Sequence, residues 1–162
     1  MKKVAIIMGS DSDWPILKPA YEILMEFGIK AEVLVASAHR NQNTVREFVL
    51  NSEKNGISIL IAGAGAAAHL PGVIAAYTTL PVIGVPISSS ALKGMDALLS
   101  IVQMPSGIPV ATMAIDGGKN AGLFALSILS VEDKMMTDKL KEFREKQARQ
   151  VEEKNKKIQE NL

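Results

Sequence analysis

The chain has 162 residues, 18 of them Lys or Arg and 17 Asp or Glu, for a formal charge of +1. A near-neutral balance removes the electrostatic case for nucleic acid or an anionic membrane surface as partner, and the length predicts a single domain, residues 1–162, that buries roughly 70% of its unfolded surface. There is no cysteine and there are only two histidines, which excludes thiolate nucleophiles, redox pairs and Cys- or His-rich metal centres. The chemistry must come from few groups.

In chain order, Lys3 to Met8 predicts the first strand. The run ends at Gly9, Ser10 and Asp11, too early for a signal-peptide core, so a cytoplasmic protein is expected. A helix follows with Ile16, Ala20, Leu24 and Phe27 on one side and Gly28 as its stop. Glu32 to Ala36 predicts the second strand, and about Asn43 to Asn55 a second helix carrying Val45, Phe48 and Val49. Ser58 to Ala62, Pro81 to Val85 and Val110 to Ile115 predict three more strands.

The stretch from Ile57 to Leu92 contains no Asp, Glu, Lys or Arg. Gly63, Gly65, His69, Pro71, Gly72, Pro81, Gly84, Pro86 and Ser88 to Ser90 interrupt it, so no apolar run of about 20 residues is left to span a bilayer. It reads instead as a buried β-α-β unit, whose parallel strands are covered on both faces. From Val131 to Leu162 charged residues dominate, and a long helix is predicted with Met136, Leu140, Phe143, Val151 and Ile158 as a thin apolar stripe. That stripe lies either on its own domain or against another subunit. Alternating strands and helices predict an α/β fold: three layers, doubly wound, Rossmann- or flavodoxin-like, with a central parallel sheet and a long C-terminal helix.

In such sheets ligands bind outside the carboxyl ends of the strands. The loops there hold Gly9-Ser10-Asp11-Ser12-Asp13-Trp14-Pro15, Ser37-Ala38-His39-Arg40 and Gly63 to Gly72, so both histidines fall on one edge. The first loop, with its hydroxyls and helix amino terminus, suits a phosphate; Ser12 or Asp13 would also serve as a plain N-cap, with Pro15 in the first turn. Arg40 offers a permanent charge in a fork that donates two hydrogen bonds, whereas Asp13 would repel phosphate and suits a ribose hydroxyl. Gly63, Gly65 and Ala68 formally match a dinucleotide-binding G-x-G-x-x-A, but no acidic residue stands in 83–92 to hold a ribose. The small residues read instead as a tight, nearly apolar pocket wall.

Together with Ala68-His69-Leu70-Pro71-Gly72 and Ser100-Ile101-Val102-Gln103-Met104-Pro105, the first two loops closely resemble the N5-carboxyaminoimidazole ribonucleotide mutase family of purine biosynthesis. The likeness runs from about Val4 to Leu129, in order and with matching spacing. It implies a homo-octamer whose sites are completed by neighbouring subunits, with the C-terminal helix and the Gln103-Met104-Pro105 loop as candidate subunit contacts. It also implies an isomerisation of a nucleotide substrate without redox agent, metal or ATP. Ser10, Ser12, Ser37 and Arg40 would take the phosphate and Asp13 the ribose, with Gly65, Ala66 and Leu70 also in the substrate site. His39 is then the acid/base and His69 a positioning group.

Two departures stand out: Ala66, where the family commonly has glycine, and Gly117-Gly118-Lys119-Asn120. The rival readings are a related aminoimidazole ribonucleotide carboxylase using free carbon dioxide, and a non-catalytic nucleotide-sensing module. Arg40 after His39 resembles the mutases, since the carboxylases carry lysine there.

Overall fold

The computed structural model describes residues 2–89 and 91–162; Ser90, in the interrupted apolar stretch, lies outside them. The chain divides into two compact units, one ending at Ala125 and the other spanning Leu126–Leu162. The first holds β1 (Lys3–Met8), α1 (Trp14–Glu26), β2 (Lys30–Val35), α2 (Gln42–Asn51), β3 (Ile57–Gly65), α3 (Leu70–Ala75), β4 (Val82–Ile87), α4 (Met95–Val102) and β5 (Ala111–Thr112). A 3-10 turn, Asp11–Asp13, leads into α1, and α5 (Gly118–Ser130) runs across the division.

All strand pairs are parallel, in the order β2-β1-β3-β4-β5. This is the flavodoxin-like doubly wound order. Right-handed crossovers then dictate the layers: the chain leaves β1 in one direction and β3 in the other, so the helices fall on opposite faces. On one face Ala5, Ile7, Leu60 and Ala62 pack with Val45 and Val49 of α2, Leu70 and Ile74 of α3, and Ala97 and Ile101 of α4. The other face belongs to α1, whose Leu17, Ala20 and Leu24 are fully buried. The start of α5 lies against α1 because its glycines permit it: a methyl on Gly118 would sit 1.9 Å from the Ile16 carbonyl oxygen, and one on Gly122 3.0 Å from Ala20 Cα.

The strand bounds differ from the sequence expectation in instructive ways. β3 extends past Ala62 to Gly65, because Gly63 and Gly65 pair with Val85 and Ile87 of β4. β5 shrinks to two residues, since its ladder with β4 pairs only Ala111 with Ile83 and Thr112 with Gly84. α2 stops at Asn51 instead of Asn55, and the chain turns through Gly56 at φ 78 before β3.

In the second unit, α6 (Lys134–Gln159) begins three residues later than the charged segment because Asp133 caps it, accepting from Met136 N at 3.0 Å. Met136 is buried, but Val151 and Ile158 on the same stripe are exposed. Among the described residues no helix is long and apolar enough to cross a membrane.

Candidate active site

β1 and β3 are neighbours whose chains depart to opposite faces, and this leaves a crevice at their carboxyl ends. A cavity of about 210 Å³ lies there. Gly9, Ser10, Ser12 and Asp13 line it after β1, and Ser37 to Arg40 after β2. Ala64, Gly65, Ala67 and Leu70 contribute from β3 and the turn beyond it, and Ser89 from the end of β4. A larger cavity of about 750 Å³ lies among the carboxyl ends of α2 and α3 and the segment before β5, lined by Val49, Glu53, Tyr77 and Ile108 among others. It holds no histidine or arginine, so the smaller cavity is the one equipped for acid/base chemistry on an anion.

The first loop is built on Ser10. Its Oγ accepts from Ser12 N at 3.3 Å and from Ser12 Oγ at 2.9 Å, while Ser10 N donates to Asp13 Oδ2 at 3.1 Å. The cap is therefore Ser10 and not Ser12 or Asp13: Asp13 completes a capping box on the Ser10 N–H and makes no side-chain cap bond of its own at the start of α1, so capping and cavity lining coexist in Ser10 and Asp13. Burial raises the Asp13 carboxyl above its ordinary 3.8; the backbone N–H of Ser10 opposes this, Asp11 adds to it, and the Gly9 N–H and Arg40 charge pull the other way.

The second loop is built on Ser37, whose Oγ accepts from His39 N and Arg40 N at 3.3 Å and from Arg40 Nε at 3.4 Å. Asn41, which carried no signal in the sequence reading, accepts from Ser37 N at 2.6 Å through Oδ1. Arg40 Nη2 donates to the Gly9 carbonyl at 3.0 Å, so one guanidinium ties the two loops and brings a fixed positive charge to the wall.

The two histidines, 30 residues apart, meet: His39 Nε2 lies 2.7 Å from His69 Nδ1, with the rings 4.9 Å apart and nearly perpendicular. One nitrogen must carry the proton and the other accept it, so the two tautomers are linked. His69 sits just before α3 and, like Ala66, is not among the residues lining the cavity.

The third segment departs from expectation in two respects. Gly63 is not part of the pocket wall: a methyl there would lie 2.7 Å from Leu17 Cδ1 and 3.0 Å from Ile87 Cδ1, so its smallness serves the core beneath α1. Gly65 does face the cavity, and a methyl on it would stand 1.8 Å from Ser89 Oγ. Ala66 adopts φ 50, the left-handed backbone region that glycine enters without cost, which explains why glycine suits this position. Ser89 and Ala67 are lining residues that the sequence reading did not single out. The Gln103-Met104-Pro105 loop is absent from the lining; Met104 packs over Gly72 of α3, where an added methyl would meet its sulfur at 3.0 Å.

These features define a flavodoxin-like α/β protein with an arginine-braced, two-histidine site at the switch point of its sheet. The chain belongs to the AIR carboxylase family, whose model matches residues 3–150. It is 56% identical over 157 residues to N5-carboxyaminoimidazole ribonucleotide mutase of Pyrococcus horikoshii, covering 97% of this chain and 89% of that one. It is also 50% identical to phosphoribosylaminoimidazole carboxylase of Saccharomyces cerevisiae, over 91% of this chain but 26% of the longer yeast protein. Among solved structures, PurE of Treponema denticola superposes with a TM-score of 0.87 at 30% identity, covering 97% of this chain and 98% of that one.

Proposed function

We propose that the protein converts N5-carboxyaminoimidazole ribonucleotide to 4-carboxyaminoimidazole ribonucleotide in purine biosynthesis. The observation that carries this reading is the His39–His69 contact beside an arginine-braced, hydroxyl-rich cavity, in a chain so similar to a relative of that name. Ser10, Ser12, Ser37 and Arg40 hold the phosphate, and Asp13 the ribose. Gly65, Ala66 and Leu70 shape the part of the site that receives the ring; Ala66 does so through its backbone, since it directs the chain from β3 towards α3.

The reaction begins with protonated His39. It gives its proton to the carbamate nitrogen as the nitrogen–carboxyl bond breaks, which leaves the amine and carbon dioxide. Carbon dioxide is retained beside the ring, against Gly65 and Ala67. The electron-rich ring carbon attacks it, forming the new carbon–carbon bond, and His39 removes the proton from that ring carbon to restore aromaticity. One proton is given and one recovered, so His39 ends as it began. Retention keeps the second step intramolecular, the largest advantage available to a site with so few charged groups. His69, facing His39 Nε2, orients the imidazole and the carboxylate.

The second reading, a carboxylase using free carbon dioxide, is favoured by the name of the yeast relative. Arg40 directly after His39 favours the mutase. An ATP-free ultraviolet assay of the purified protein with freshly made N5-carboxyaminoimidazole ribonucleotide tests the proposal. Turnover at low bicarbonate supports it, and turnover only of aminoimidazole ribonucleotide with added bicarbonate transfers the protein to the carboxylases. Nucleotide binding with no absorbance change would make it a sensing module.

A cytoplasmic homo-octamer is part of the same proposal. Its self-association is supported by an exposed apolar face on and before α4, where Leu92, Met95, Leu99 and Val102 are all about half exposed or more. Light scattering after size exclusion reads the subunit number.

A further inference from the structure

β4 ends at Ile87 and passes the chain to Ser88 and Ser89, and Ser89 forms the cavity wall against Gly65. The sheet ladder no longer holds these two residues. Ser89 N donates to the Ile87 carbonyl at 2.9 Å, and Ser88 is held by Asp116, 28 positions further on, which accepts from Ser88 N at 2.9 Å through Oδ1 and from the Ser88 hydroxyl through Oδ2. Its own N–H donates to the Pro86 carbonyl at 2.9 Å, so the aspartate grips the exit of β4 from both sides of Ile87. Asp116 does this at φ 59, a backbone region that costs any residue with a β-carbon. Gly94 closes the same spot, since a methyl there would lie 3.2 Å from Ser88 Cα and 2.7 Å from Ile115 Cγ2.

We propose that Asp116 is a positioning residue for the substrate cavity: by clamping Ser88 it sets Ser89 against Gly65 and thereby fixes the β4 wall of the site. The carboxylate occupies two donors of one residue at once, which fixes both the peptide plane and the side chain of Ser88. Asp116 itself does not line the cavity. Its loss therefore weakens ground state and transition state alike and appears in KM, with kcat spared. The kinetic part of this proposal rests on the mutase reading; the clamp does not.

Three variants test it. Asp116→Gly deletes the carboxylate and relieves the positive φ, so it does not unfold the protein. Asp116→Asn tolerates the same backbone and keeps one acceptor oxygen. Ser88→Ala removes the hydroxyl donor only. In the full chain, Asp116→Gly is expected to raise KM about tenfold with kcat within about twofold, and Asp116→Asn to fall between it and the native protein. Ser88→Ala raises KM about threefold in the native background and has no further effect in Asp116→Gly, because both remove one clamp. Backbone hydrogen exchange, read by mass spectrometry, accelerates about tenfold or more at Ser88 and Ser89 in Asp116→Gly and stays native elsewhere.

An unchanged KM in Asp116→Gly, or an equal effect of Ser88→Ala in both backgrounds, overturns the proposal. If the native protein does not turn over the nucleotide, the functional reading fails, and exchange alone then decides: native-like protection at Ser88 and Ser89 in Asp116→Gly overturns the clamp.

Discussion

Gly63 and Gly65 project from the same face of β3, yet replacing each with alanine should do different damage. At Gly63 the new methyl would lie 2.7 and 3.1 Å from the two Cδ atoms of Leu17 and 3.0 Å from Ile87 Cδ1. Leu17 is fully buried and Ile87 nearly so, so neither has room to retreat. Overpacking of this kind costs about 1–3 kcal/mol, and alanine returns about 0.5–1 kcal/mol because it orders less backbone than glycine. The net loss of up to about 2.5 kcal/mol lowers Tm by up to about 10 °C in a chain of this size.

At Gly65 the obstacles are Ser89 Oγ at 1.8 Å, Ser89 Cβ at 2.8 Å and the Ile87 carbonyl oxygen at 3.1 Å, and Ser89, exposed beyond the end of β4, yields by an outward shift of its backbone. The stability cost is accordingly about 1 kcal/mol or less, largely offset by the same backbone gain. To restore van der Waals separation, however, the Ser89 hydroxyl must move by about 1.5 Å, and a cavity wall displaced that far lowers kcat/KM by about 100-fold, chiefly through KM. Thermal denaturation paired with kcat/KM at a temperature where both variants are folded separates the cases. Gly63→Ala should melt early yet work, and Gly65→Ala should melt near the native temperature yet fail. Native kcat/KM in Gly65→Ala, or a lost activity with unchanged melting in Gly63→Ala, would refute the division of roles.

His39→Asn should bind the nucleotide normally in calorimetry while turnover falls about 10²- to 10⁴-fold; near-normal turnover would remove His39 from the mechanism. Ala66→Gly exchanges a left-handed strain of about 1–2 kcal/mol for an unfolded-state entropy of about 0.5–1 kcal/mol. It should raise Tm by about 1–4 °C, and a lowered Tm would contradict the backbone argument. Asp13 has its folded pKa raised above 3.8 by burial, so between 3.8 and that raised value the folded state holds the proton more firmly than the unfolded chain. Native stability from this group is full below 3.8 and is lost as pH rises through the raised value. Urea midpoints across that range should show Asp13→Asn gaining on the native protein as pH increases. The opposite drift would mean that the Ser10 amide and Arg40, not desolvation, dominate the carboxylate.

Local patterns in the chain carry a great deal of the fold. Buried parallel strands read as short aliphatic runs, so β1 is legible to the residue and the other four strands in place if not in length. Gly28 and Gly56 mark turns at positive φ, and the charged C-terminal segment is the long helix it resembles. The same local information brings Ser10, Ser12, Asp13, Ser37, His39, Arg40, Gly65 and Leu70 to one edge, because loops after parallel strands all open on the same side, and all eight line one cavity.

Strand length, neighbour order and side-chain approach answer to partners far away in sequence. β3 reaches Gly65 because β4 lies beside it, and β5 is short because its ladder with β4 closes only at Ala111 and Thr112. Gly63 reads as pocket wall in the sequence, and the position of Leu17 makes it core; Ser89 meets the cavity across Gly65, which is no neighbour in the chain. The 2.7 Å contact of His39 with His69 depends on where β2 and β3 stand on either side of β1. A strand or turn forms from energies within a few residues, whereas a hydrogen bond between two imidazoles needs both placed to within a fraction of an ångström, and that precision comes from packing summed over the whole sheet.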